Sequence, residues 1–327
     1  MAADPLDRIA AVYARFATHE ARGRSALYEE LATRVAEDRD VLRLLAELPG
    51  PKQQPNLLLA SVRHLCGTAS DWEQFRGCVL ERREEIVAVM LARRTQTNEP
   101  ARCATLLPLL ASLPPPLALL EVGAAAGLCL LPDRYGYDYN GHRVPPSRPA
   151  PVGTPTFACR ANPATPLPAR GLEVAWRAGL DLEPLDVRDR EQTDWLEALV
   201  WPGEGNRLAL LRAALDVARI DPPPLTRGDL RNDLPALAAQ APRDATLVVF
   251  HTAVLAYLPD PVDRAAFAQT VDGLEAIWLA NEAPGTVTTA QRPNHPPASG
   301  LDAFLLTRDR QPIAWTDPHG TSIDWLS

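Results

Sequence analysis

Lysine is almost missing from this chain. Among 327 residues with 33 lysines and arginines together, Lys52 is the sole lysine. A P-loop NTPase needs a lysine directly after its phosphate loop, and a pyridoxal enzyme needs one for its Schiff base. Lys52 lies in Pro51-Lys52-Gln53-Gln54-Pro55, away from any glycine-rich turn. Both classes are set aside, as is a Tyr-x-x-x-Lys dehydrogenase pair.

Cysteine is sparse and scattered. Cys66, Cys78, Cys103, Cys129 and Cys159 form no C-x-x-C pair and no Cys/His cluster. Isolated buried thiols are therefore expected, with no disulfide framework and no metal site. Positive charge is not in excess either: the net charge is −8 and the pI about 5.3. That balance argues against nucleic acid or an anionic membrane as partner. No stretch approaches the ~18 apolar residues of a membrane helix. The N-terminus lacks the basic and apolar regions of a signal peptide, so a cytoplasmic location and a small-molecule partner are expected. Nothing indicates the oligomeric state.

Residues 1 to 113 read as helical. Ile9, Val12, Tyr13 and Phe16 follow the spacing of one amphipathic face. Ser25 is placed to cap the next helix, and Pro49-Gly50-Pro51 stops a third. The polar run Gln96-Thr97-Asn98-Glu99-Pro100-Ala101-Arg102 then breaks the pattern. Either Thr97 or Asn98 caps a helix opened by Pro100, or the run is a polar edge facing a ligand.

From residue 114 onward, strands alternate with helices, which predicts a mainly parallel sheet with right-handed crossovers. Leu117 to Val122 is an apolar strand carrying Glu121 near its end. Gly123-Ala124-Ala125-Ala126-Gly127 follows as a small-residue turn, expected to open a short helix. Strand, turn and helix N-terminus together suit a nucleotide-like ligand. The alternative is a buried strand with a tight turn and no ligand. Later strands are expected near 174–181, 224–230, 246–251 and 276–280, with a terminal antiparallel meander from Phe304. Their ends offer Asp181, Asp229, His251, and Asn281 with Glu282. Residues 140 to 172 are a Pro-rich insertion. Before it, Asp133 to Gly141 interleaves aromatic and acidic residues, either as a pocket wall or as a surface hairpin.

Glu121-Val122-Gly123-Ala124-Ala125-Ala126-Gly127 resembles the first motif of class I S-adenosylmethionine-dependent methyltransferases, an acid, any residue, then Gly-x-Gly-x-Gly. Ala125 stands at the middle glycine. Gly179-Leu180-Asp181-Leu182-Glu183-Pro184 is similar to the second motif, whose acid holds the ribose, and Gly228-Asp229 to the acid near the adenine amine. The resemblance implies an α/β fold over residues 114–327: a Rossmann-like, methyltransferase-type, mainly parallel sheet with an antiparallel C-terminal strand pair. The all-helical N-terminal region, residues 1–113, would serve as lid or pocket wall.

The same resemblance places S-adenosylmethionine on Glu121, Gly123, Ala125, Gly127, Asp181 and Asp229. His251 would be general base or substrate orienter, because an imidazole with its ordinary pKa of ~6.5 accepts a proton at neutral pH. Its alternative is a hydrogen-bonded structural histidine. Gln96, Asn98, Glu99, Arg102, Tyr135, Tyr137, Asn281 and Glu282 would shape the substrate pocket. No Asn/Asp-Pro-Pro-Tyr/Phe signature follows the fourth strand, so amino-group methylation of a base or glutamine is not expected.

The whole chain also resembles an uncharacterised bacterial domain-of-unknown-function family. That resemblance runs through residues 96–99, Glu121 to Tyr135, Gly179 to Asp186, Trp195 to Pro202, Arg207 and Phe250-His251. Two other functions compete with a small-molecule methyltransferase. One is a non-catalytic ligand-binding or scaffold protein on a degenerate methyltransferase fold, which Ala125 favours. The other is an NAD(P)-dependent oxidoreductase, which the missing Gly-x-Gly-x-x-Gly spacing disfavours. A hydrolase lacks its Gly-x-Ser-x-Gly elbow.

Overall fold

Asp4, Ser25, Asp38 and Asp71 each accept a backbone N–H at the start of a helix. Each satisfies a donor that the first helical turn leaves without a partner. These side chains open α1 (Pro5–Phe16), α2 (Ala26–Glu37), α3 (Arg39–Ala46) and, after α4 (Pro55–Cys66), α5 (Trp72–Glu81); α6 (Arg83–Ala92) follows. Further along lie α7 (Cys103–Leu110), α8 (Arg190–Ala198), α9 (Gly205–Ile220), α10 (Leu234–Ala238) and α11 (Pro261–Asp272). The computed structural model describes residues 4–96, 98–287, 293, 296–297 and 303–326; Thr97, a cap candidate, lies outside them.

The chain forms two units, residues 1–97 with 190–209, and residues 98–189 with 210–327. In the first, Tyr13, Phe16, Leu31, Leu44 and Leu58 share one core with Trp195 and Trp201 from the later segment. Each indole N–H finds an acceptor, Trp195 at Arg94 O (2.9 Å) and Trp201 at Asn56 Oδ1 (3.0 Å). Cys66 and Cys78 are disulfide-bonded, with Cα atoms 6.6 Å apart, which corrects the expectation of isolated thiols. The pairing comes from α5 returning alongside α4, a three-dimensional relation that a lone twelve-residue spacing does not encode. Cys103, Cys129 and Cys159 are free and buried.

The second unit carries the strands. They are β1 (Leu117–Val122), β2 (Gly136–Tyr139), β3 (His142–Val144), β4 (Thr156–Ala158), β5 (Arg160–Ala161) and β6 (Val174–Asp181), then β7 (Leu225–Arg227), β8 (Thr246–Thr252) and β9 (Ile277–Glu282). The terminal meander is β10 (Phe304–Arg308), β11 (Gln311–Thr316) and β12 (Ser322–Trp325). The main sheet runs β5-β12-β11-β10-β9-β8-β1-β6-β7. Its β7 to β9 portion is parallel, and β9 to β12 pair antiparallel. The expected helical N-terminus, mostly parallel sheet and antiparallel C-terminal strands are all present. Strand order reverses between β1 and β8, the position where open α/β sheets bind ligands.

Two local expectations change. No α-helix opens at the glycine turn; single 3₁₀ turns at Leu128–Leu130 and Pro132–Arg134 follow instead. Gly127 is left-handed (φ 71°), and Pro132 brings no N–H, so the chain cannot continue as an α-helix there. The Asp133 to Gly141 stretch is a hairpin, β2 to β3, turned by Asn140 and Gly141 at φ 54° and 93°. Both central residues at positive φ suit an Asn-Gly turn. Its tyrosines, however, are buried.

Candidate functional site

The glycine turn after β1 is closed by its own hydrogen bonds. Gly123 and Ala124 N–H donate to Leu180 O at 2.8 and 3.3 Å, and Gly127 N–H to Ala124 O at 2.6 Å. Ala125 N–H donates to Asp181 Oδ2 at 2.8 Å, and Leu128 N–H to Asn98 Oδ1 at 2.9 Å. A turn that binds a phosphate or carboxylate leaves such donors aimed at the ligand. Here those of Gly123, Ala124, Ala125, Gly127 and Leu128 are consumed.

Side chains fill the adjoining space. A Cβ on Gly123 would lie 2.5 Å from Val254 Cγ2, and one on Gly127 2.6 Å from Pro223 Cγ. Ala125 itself adopts φ 49° and is buried. Left-handed backbone at a non-glycine residue is held only where its surroundings over-determine it. Asp181 supplies that hold, accepting from Ala125 N–H and, through Oδ1, from Glu183 N–H at 2.8 Å. Asp229 instead takes the fork of Arg231 (Nη2 to Oδ2, 2.6 Å), and this bond holds its carboxyl below the usual carboxylate range. As they stand, these residues do not fit S-adenosylmethionine.

Strand alternation separates the remaining candidates. Register pairs Glu121 with Phe250, His251 with Ala280, and Thr252 with Asn281. Glu121, Thr252 and Asn281 therefore share one face, while His251 and Glu282 lie on the other. Adjacent Asn281 and Glu282 cannot line one pocket, contrary to expectation.

On the first face a buried polar cluster forms. Arg102 donates to Thr252 O and Oγ1 (3.1 and 3.2 Å) and to Pro318 O (2.8 Å). Asn281 accepts from Thr316 Oγ1 at 2.7 Å and reaches Thr105 of α7 at 3.5 Å. Glu99 caps the Pro100–Arg102 turn through Ala101 N–H, and its other oxygen lies 3.7 Å from His319 Nδ1. Glu121 is 2% exposed, and its Oε2 has no hydrogen-bond partner. Burial, then the neighbouring Cys129 and Asp181, push its carboxyl well above the usual range, outweighing Arg102. The shift favours its protonated form.

Across the sheet, His251 is fully buried against Phe267 and Trp278. Trp278 Nε1–H donates to His251 Nε2 at 3.0 Å. An indole only donates, so Nε2 is the acceptor and the ring proton sits on Nδ1, facing Glu282 Oε1 at 2.7 Å. The same Glu282 oxygen accepts from Val254 and Leu255 N–H at 2.8 and 3.2 Å. With both nitrogens engaged, the ring has no lone pair to offer a substrate. The general-base assignment gives way to a positioning one: His251 orients Glu282, which pins the loop that seats Val254 on Gly123.

Tyr135 and Tyr137 are likewise removed from the pocket, fully buried with hydroxyls donating to Leu128 O (3.0 Å) and Pro132 O (2.6 Å). Gln96 is half-buried and belongs to the first unit. Sequence reasoning missed Thr252, Thr316, Pro318 and Val254. Pro318-His319-Gly320 reads as a turn in the sequence, and at Gly320 a Cβ would overlap the Ala101 carbonyl, so only glycine lets the turn approach Arg102. Among the described residues, no group of His, Cys, Asp and Glu is arranged to hold a metal, and no helix is long and apolar enough to cross a membrane.

A family model described as an uncharacterized protein conserved in bacteria (DUF2332) matches residues 10–325. The chain belongs to that family. No curated protein and no solved structure matches it. In this DUF2332 member, Asn98, Glu121, Asp133, Trp195 and His251 are all buried. Asp133, for instance, receives both terminal nitrogens of Arg177, at 2.9 and 3.0 Å.

Proposed function

We propose that this protein is a non-catalytic binding or scaffold protein on a methyltransferase-like α/β sheet, its glycine turn serving as a packing element. The observation that carries this reading is the fate of the turn's N–H groups, which donate to Leu180, Ala124, Asp181 and Asn98. The engaged nitrogens of His251 support it, since they leave the imidazole no lone pair for a substrate.

A second reading keeps S-adenosylmethionine-dependent methyl transfer to a small molecule. It is favoured by the unpartnered, buried Glu121 Oε2 beside the strand-order reversal. In that reading Val254 must leave Gly123 before a cofactor enters.

Calorimetric and thermal-shift titrations with S-adenosylmethionine, S-adenosylhomocysteine and NAD separate the two. The first reading expects no stabilisation by any of them at millimolar concentration. Stabilisation by an adenosyl ligand, with a shift of the Val254 methyl resonances and loss in Asp181→Ala, would establish the second.

A further inference from the structure

The disulfide of the helical unit is open to solvent at one sulfur and not at the other. Cys66 ends α4 and is exposed, as are Gly67 and Thr68 after it, whereas Cys78 lies within α5 and is half-buried. A thiol arriving from solvent therefore meets Cys66 first. Exposed disulfides are the labile class, and structural ones resist small thiols.

Arg82 stands beside the exposed sulfur. Its Nη1 donates to Leu65 O at 2.6 Å and lies 3.9 Å from Cys66 Sγ. The bond to Leu65 covers a carbonyl at the C-terminal end of α4, whose partial negative charge would otherwise disfavour an anion there. Glu85 holds the opposite edge of the guanidinium, with Nε at 2.8 Å and Nη2 at 2.5 Å. It offsets part of the charge, but Nη1 remains the group at the sulfur. Thiol–disulfide exchange spreads one negative charge over three sulfurs in line, and a cation beside the middle one stabilises that arrangement.

We propose that Cys66–Cys78 is a reversible exchange site for small soluble thiols, with Cys66 the sulfur attacked and Arg82 stabilising the exchange. A thiolate bonds to Cys66 Sγ as the bond to Cys78 breaks. Cys78 leaves with the electron pair and takes a proton from water. A second thiolate attacks the outer sulfur of the mixed disulfide, releasing the small disulfide and the Cys66 thiol. Two electrons thus pass from two small thiols to the protein, and the reverse steps close the bond again. Thr68 and Ala69, in the loop it closes, line the same small cavity as Leu59, Val62 and Phe75 of the helical core. Opening the bond frees the loop that walls that core on one side.

The test uses the full chain in millimolar glutathione, with Cys66 and Cys78 followed by differential alkylation and mass spectrometry. Reduced glutathione should open the bond and oxidised glutathione close it, with the helical circular dichroism retained throughout. A bond that opens only once denaturant has unfolded the helices would overturn the proposal. In Cys78→Ser, Cys66 should take up glutathione from oxidised glutathione several-fold faster than Cys78 does in Cys66→Ser. Equal or reversed rates would remove Cys66 as the entry sulfur. Arg82→Gln should slow opening about threefold, the scale of one partly offset charge near 4 Å at a wet surface. Arg82→Lys keeps the charge and should restore most of the rate. An unchanged rate in Arg82→Gln, or a loss in Arg82→Lys as large as in Arg82→Gln, would overturn the role of that charge.

Discussion

Gly123→Ala tests whether the turn after β1 is a packing element. Gly123 sits at φ 70°, where an alanine is disfavoured by about 1 kcal/mol. The added methyl would meet Val254 Cγ2 at 2.5 Å and Cγ1 at 2.9 Å. Overpacking of this kind costs about 1–3 kcal/mol, so the variant should lose about 2–4 kcal/mol in all. Val254 is half-buried, and Val254→Ala alone should cost about 1 kcal/mol. Combined, the two changes should be less than additive by about 1–3 kcal/mol, because the truncated side chain no longer meets the new methyl. Only the backbone strain then remains. Urea denaturation of the wild type, both single variants and the double variant gives the coupling by linear extrapolation. If Gly123→Ala is equally damaging with alanine at position 254, Val254 does not fill the space, and the reasoning fails.

Three further outcomes are expected. Because the folded carboxyl of Glu121 is raised above its unfolded value of ~4.3, between the two the folded state binds the extra proton and stability falls by about 1.4 kcal/mol per pH unit until the folded group ionises. Glu121→Gln removes that loss and should gain on wild type as pH rises through this window; a difference independent of pH in urea titrations would refute it. Cys66→Ser with Cys78→Ser opens a loop of sequence separation 12 and should lower stability by about 3 kcal/mol, measured against the oxidised protein. Unchanged unfolding midpoints would show that the disulfide constrains nothing. Nitrogen chemical shifts of His251 should report the Nδ1–H tautomer at neutral pH, whereas an Nε2–H signal would contradict the Trp278 bond.

The strands were legible because buried parallel strands carry continuous apolar runs, as Thr246 to Phe250 does. Helix starts were legible at Ser25, where capping chemistry is local. The site was legible only as a set of polar strand ends. Which of them meet depends on alternation across the sheet, and that separated Asn281 from Glu282. Arg102 finds Thr252 and Pro318 across 150 and 216 residues, a relation no local pattern carries. The disulfide was hidden for the same reason. Each is decided by what packs against it.

The return of residues 190–209 to the helical unit makes both units discontinuous in the chain. During synthesis, α1 to α6 emerge well before Trp195 and Trp201, two of the largest side chains of their shared core. The helical core therefore stays open until residues 98–189 have been made. No single cut releases either unit whole, and a fragment ending at residue 96 should expose the apolar surface those indoles cover. The order of manufacture ties completion of the helices to delivery of a segment from beyond the central strand.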